Sequence, residues 1–244
     1  MQWQQNMQNY LQGGEALSTL HGRSSGGNSR ARILEAAGQL FAARGFDGVS
    51  TRELAAAAKV NISAITYYFQ GKNGLYQSVL EQLVDDTAPL FDPMISKMEH
   101  DVADAGARRE ALAKTAVWFV GALLSGILTD PKIRWQMPLV MREFQQPSSG
   151  FQFLYTKRIE PMHNVIAKLV SAALQIDPKE TETKIVTATI IGQCMAFGFA
   201  RAVIFARTGW QDYDEHNRQQ VIEIVSSGIL RALNLSTSCG TAKC

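Results

Sequence analysis

With 244 residues and a net charge of +2, the chain is long enough to bury a substantial core in one large domain or two modest ones. Hydrophobic residues at 46% and charged residues at 19% match an ordinary soluble globular protein. Three cysteines exclude a disulfide framework and fit free thiols in a reducing compartment, which here means the cytoplasm. Met1 to Leu20 has neither the basic start nor the apolar centre of a secretion signal. The uncharged runs Thr115–Thr129 and Ile185–Ala200, 15 and 16 residues long, fall short of the ~20 residues that cross a bilayer, so no membrane partner is expected. The small net charge is unevenly spread. From His21 to Leu80 there are seven basic and three acidic residues, a local +4 that suits contact with a polyanion.

In chain order, residues 1–28 are rich in Gln, Asn, Gly and Ser and read as a disordered lead. Ser29 opens a first helix with Ile33, Ala37, Leu40 and Phe41 on one stripe, ended by Gly45 as a C-cap. Ser50 and Glu53 have the spacing of a capping box at the start of a short helix, Arg52–Ala58. Lys59, Val60 and Asn61 break that helix, and Asn61 caps a second, Ile62–Phe69, with Ile65 and Phe69 inward. Two short helices around a three-residue turn form a helix-turn-helix. Its geometry puts Arg52, Ile62, Ser63 and Thr66 at the helix ends that approach a major groove, as base contacts on double-stranded DNA. Thr51, Tyr67, Tyr68 and Lys72 suit phosphate contacts, since hydroxyls and an ammonium on adjacent helix ends fix register without reading bases. After Gln70 and Gly71, helical periodicity resumes from Lys72 to about Asp86. Pro89 and Pro93 then predict a break and a hinge, with a domain boundary at residue 88.

Thr51, Leu54, Ala55, Ala58, Val60, Ile65, Tyr68, Phe69, Lys72 and Leu75 resemble the helix-turn-helix pattern of TetR-family transcriptional regulators. Two positions depart from it: Lys59 stands where the family has Gly in the turn, and Thr66 where it has Tyr. The first asks a side chain to adopt a left-handed conformation at about 1 kcal/mol. The second changes a DNA contact, so family base preferences do not carry over. PLVMREFQQPSSGFQFLY followed by IEP also resembles, more loosely, the ligand-binding half of CecR-like members. The resemblance implies an all-α protein with an N-terminal three-helix DNA-binding domain (29–88) and a C-terminal ligand-binding and dimerisation domain (89–235). A flexible tail (236–244) follows.

The second domain reads as helices over 107–128, 132–144, 151–174, 179–207 and 215–233, with no period-2 strand pattern. Aromatic, methionine and isolated polar residues at helical spacing are ordinary core; in a family that binds small effectors they also line adaptable pockets. Trp118, Trp135, Met141, Arg142, Phe144, His163, Phe197 and Arg201 are the candidates for an apolar or aromatic effector. Small residues at Ala188, Gly192 and Ala196 allow close helix approach. With Val221 and Val225 they form the expected homodimer interface, since the family dimerises through its last two helices. Close packing inside one subunit is the competing explanation of that stripe.

No P-loop, G-x-S-x-G, H-E-x-x-H or Cys/His metal spacing occurs, so neither an enzyme nor a cofactor or metal is expected. The expected function is a ligand-responsive repressor that binds an inverted repeat as a dimer and is released by its effector. The alternative is a helical effector-binding or interaction module whose helix-turn-helix, altered at Lys59 and Thr66, no longer reads DNA.

Overall fold

The computed structural model describes residues 25–236, and all its regular structure is helical. The first helix, α1 (Ser25–Arg44), starts four residues before Ser29. The rest of the expected disordered lead and all but the first residue of the expected tail, with Cys239 and Cys244, lie outside the described residues. The three-helix head continues with α2 (Thr51–Ala57) and α3 (Ile62–Phe69). The capping box forms as its spacing requires: Ser50 Oγ accepts from the Glu53 amide at 3.2 Å, and Glu53 Oε2 accepts from the Ser50 amide at 2.7 Å. The Ser50 hydroxyl also donates to Glu53 Oε2 at 2.7 Å; this bond first, then the Ser50 amide and Arg44, hold the Glu53 carboxyl down at about 2. Asn61 Oδ1 caps α3 through the Ser63 amide at 3.0 Å. Ile33, Phe41, Leu54, Ile65, Phe69 and Leu75 close the head's core.

Pro89 and Pro93 do not end the next helix. α4 runs unbroken from Lys72 to Ala105, 34 residues. Proline removes the bond its amide would give to the carbonyl four residues back, at a cost of about 3 kcal/mol in a helix interior. Here the affected stripe, Asp85, Pro89 and Pro93, lies entirely on the exposed side, where water can bond the freed carbonyls. Leu83, Thr87, Met94 and Met98 on the opposite side stay buried, and their packing holds the helix together. Along this one rod the core changes. Residues up to Leu83 pack in the head, and those from Met94 onward pack in the body.

The body contains α5 (Arg109–Thr129), α6 (Pro131–Gln145), α7 (Phe151–Leu154) and α8 (Glu160–Leu174), then α9 (Thr181–Phe199), α10 (Arg201–Thr208) and α11 (Glu215–Ala232). α5 is long and apolar enough to cross a membrane by composition, but its apolar surface is used as the central packing helix against α4, α9 and α11. Between α7 and α8 a π-turn, Tyr155–Ile159, precedes Pro161. That proline has no amide for the Lys157 carbonyl, so the ladder widens there rather than stopping. The single helix expected over 179–207 is instead two, bent by 73° at Ala200. The bend is pinned by Arg201, which donates to the Leu128 carbonyl at 3.3 Å and pairs with Asp212 at 2.6 Å. Its guanidinium also lies 4.6 Å over the Tyr213 ring. Gly198 lets α9 come close to α5: a Cβ there would stand 2.8 Å from Ile127 Cγ2.

Head and body are joined by more than α4. Leu139 of α6 and Leu154 of α7 belong to the head's core. Beside them Glu143, 2% exposed, accepts from the Tyr76 hydroxyl, from Ser148 Oγ at 2.7 Å and from the Ser148 amide at 3.1 Å. Burial, followed by the neighbouring carboxylate, raises the Tyr76 hydroxyl above its ordinary value. Tyr76→Phe should therefore lower the unfolding free energy by about 1.5–3 kcal/mol, the worth of a hydrogen bond to a charged group, in urea titrations. Because the folded state holds this proton more tightly than the unfolded chain, its contribution is complete below about pH 10 and declines above it. That alkaline component should be missing in the Phe variant. Glu53 has the opposite sign: its contribution is complete above pH 4.5 and is lost as pH falls towards about 2. An NMR titration of its carboxyl should place the midpoint near 2, and Ser50→Ala should return it towards the ordinary glutamate value.

Candidate nucleic-acid interface

The turn between α2 and α3 is held from below. Arg32 of α1 donates through Nε to the Ala58 carbonyl at 3.1 Å and through Nη2 to the Lys59 carbonyl at 2.6 Å. Lys59 itself adopts φ +53°, the left-handed conformation expected where glycine is replaced. The Arg32 bonds offset that strain and satisfy carbonyls at the end of α2.

On this rigid turn α3 faces outward. Ile62 is 44% exposed and Tyr67 81%, and Ser63 and Thr66 are exposed between them. Arg52 projects into solvent from the first turn of α2. The four candidate base-contact residues are therefore each open to solvent, with none covered by another of the described residues. The phosphate candidates differ more. Thr51 and Tyr68 are half-buried, and Tyr68 meets Tyr67 edge-on at a centroid distance of 4.9 Å. Lys72 rests its ammonium 4.2 Å from the centre of the Phe46 ring, which fixes its reach along the edge of the head. Ser63, Ala64, Thr66, Tyr67 and Tyr68 line an open hollow on the recognition helix.

The effector candidates do not converge. Trp135 lies against α1, with ring carbons 3.0 Å from where a Gly38 Cβ would stand. Arg142 also turns to α1: it donates to the Ala43 carbonyl at 3.2 Å and packs over Gly45, which takes φ +75° there. Arg201 is the pin of the α9–α10 bend described above. These three, expected as ligand residues, make contacts within the protein that helical periodicity does not reveal, because it does not show which neighbour a face meets. Trp118 and Phe197 pack on the body's core, with Lys97 4.7 Å over the Trp118 ring. His163 is half-buried, and that burial lowers its pKa. Met141 is half-buried and Phe144 exposed. An open hollow also lies at the far end of the body, between Val102, Gly106, Ser171, Ala172 and Ile176.

The dimer stripe needs a similar correction. Ala188 and Gly192 are exposed and Ala196 half-buried, but Val221 and Val225 turn into the body's own core, 3% and 6% exposed. The outer face of α11 carries Ile224, 70% exposed, and α9 adds Ile185 at 59%. The two helices approach each other at Gly228, where a Cβ would lie 3.6 Å from Gln193 Oε1. Glu143 and α6 brace the head, the domain contact that Glu143 within an otherwise apolar helix signals in the sequence.

Comparison with known proteins adds identity to this geometry. Residues 33–79 match the model of bacterial regulatory proteins of the TetR family. Residues 117–234 match the model of the C-terminal domain of the transcriptional dual regulator CecR. The HTH-type transcriptional dual regulator CecR of Shigella flexneri is 26% identical over 84% of this chain and 91% of its own. The probable HTH-type transcriptional regulator YttP of Bacillus subtilis is 40% identical over 29% of this chain and 34% of its own. Among solved structures, AibR in complex with isovaleryl coenzyme A and operator DNA shares the fold with a TM-score of 0.55 at 15% identity, covering 82% of this chain and 97% of AibR. A HlyIIR mutant does so at 0.52 and 20% identity, covering 85% of this chain and 98% of that one. With one family model on the helix-turn-helix head and another on the helical body, the chain belongs to the TetR family of DNA-binding transcriptional regulators, with a CecR-type C-terminal domain.

Proposed function

We propose that the protein is a one-component, effector-released repressor that binds an inverted-repeat operator as a homodimer and acts in the cytoplasm, where that DNA lies. The observation that carries this reading is the outward face of α3, with Ile62, Ser63, Thr66 and Tyr67 open on a head whose turn is fixed by Arg32. Arg52 joins them as the side chain able to meet a guanine bidentately, and Thr51, Tyr67, Tyr68 and Lys72 hold phosphates. A second copy packs on the exposed apolar strip formed by Ile185, Ala188, Gly192 and Ile224. Burying such a strip against its own image makes a two-fold interface, and two-fold symmetry in the protein is what a palindromic site matches. The two recognition helices then need to stand about 34–36 Å apart, one turn of DNA.

The effector is a small apolar or aromatic molecule taken up by the helical body, with Trp118, Met141, Phe144, His163 and Phe197 the side chains suited to it. Binding that favours a different spacing of the heads lowers operator affinity by the ligand's differential affinity for the two states, typically about 1–3 kcal/mol. α6 is the element placed to pass this on, because it touches the body with one face and α1 with the other.

Affinity for DNA selected from a random pool should fall steeply with salt, and Lys72→Ala should reduce the slope of log K against log salt by about one unit per half-site. Binding indifferent to salt, or unchanged in the Arg52→Ala, Tyr67→Ala double variant, contradicts DNA reading by this face. Ile185→Asp with Ile224→Asp should yield a folded monomer by sedimentation that has lost its affinity for the palindrome; a dimer that persists would place the interface elsewhere.

A further inference from the structure

Resting on the reading of the protein as a DNA-binding homodimer, we propose that Arg158 is a positioning residue for the operator. Its guanidinium splints α4 across Pro89 and so fixes the spacing at which a pair of heads can be presented. The rod passes from the head's core to the body's between Leu83 and Met94, and both prolines fall in that interval. Neither proline has an amide to give, so the carbonyls of Asp85 and Pro89 lose their helical donors. The stretch that carries one domain on the other is thus the one with the weakest backbone ladder.

Arg158 reaches this stretch from the π-turn between α7 and α8, a form of helix found frequently at functional sites. Its Nη2 donates to the Val84 carbonyl at 2.5 Å, and its Nη1 pairs with Asp92 Oδ1 at 2.8 Å. These acceptors lie on either side of Pro89, just over two turns of helix apart. Between them the guanidinium carbon stands 5.3 Å from the centre of the Phe91 ring. The Arg158 side chain is only 12% exposed, so one rigid fork is held in place against three points of the rod. Bending α4 at Pro89 changes the distance between Val84 and Asp92 and breaks one of the two bonds. Lys168 of α8 also pairs with α4, through Glu99 at 2.8 Å, but beyond both prolines and on the surface. That pair ties body to body and spans nothing.

The test uses the full-length protein, a palindrome selected from random DNA, the same palindrome with one base pair inserted between its halves, and an isolated half-site. Insertion moves the half-sites about 3.4 Å apart and turns one against the other by about 35°. The wild-type protein should bind the lengthened palindrome more weakly than the selected one. In Arg158→Ala that preference should shrink about ten-fold, the worth of one hydrogen bond to a charged group, while half-site affinity stays within two-fold of wild type. Arg158→Lys, whose single ammonium lacks the fork, should fall between the two. Lys168→Ala should keep the wild-type preference. Asp92→Ala, a change at the surface, should relax the preference in the same direction even if Arg158→Ala fails to fold. A preference unchanged in Asp92→Ala and in Arg158→Lys overturns the inference and leaves the DNA-binding reading intact. So does an equal loss on palindrome and half-site, or an equal relaxation in Lys168→Ala. Failure of the wild-type protein to select any palindrome overturns both.

Discussion

A carboxyl group with almost no access to water has to be fully hydrogen-bonded, and the way Glu143 meets that demand governs how the molecule is put together. Its partners are Tyr76, on the rod that leaves the head, and Ser148, in the loop that follows α6. Leaving any of these groups unpaired in the interior costs about 1–3 kcal/mol, more where charge is involved. Satisfying them together requires α6 to lie against α4 at one register, and once it does, Leu139 and Leu154 complete the apolar core of the head. The DNA-binding module is therefore not an independent three-helix unit with a tether. Part of its interior is supplied by the body.

That arrangement bears on how a regulator of this kind transmits a signal. Arg142 and Trp135, one side of α6, rest on the end and the middle of α1, while Met137 of the same helix lies with the body. A displacement of α6 by a molecule bound in the body would press directly on the first helix of the head, without needing the long α4 to move first. Interior packing resists continuous deformation, so the coupling acts between discrete arrangements rather than as a graded push.

Much of the head was legible in the sequence because its determinants are local. The capping box, the Asn61 cap, the left-handed turn at Lys59 and the span of α3 each depend on residues within one or two turns. The body was legible as helices but not as faces. α9 and α11 carry apolar residues on both sides, so no pattern distinguishes Val221 and Val225, which pack inward, from Ile224, which points out. The prolines misled for a related reason. A breaker read alone predicts a break, whereas the outcome turns on which side of the helix loses its bonds, and that is set by partners far along the chain.

The exposed row of Asp85, Pro89 and Pro93 leaves α4 with a mechanical grain. On that side the backbone ladder lacks two rungs; on the other, buried side it is intact and clamped by packing. A rod built in this way flexes most easily in the single plane containing its weakened edge, like a notched strip. Relative motion of head and body is thereby favoured along one direction.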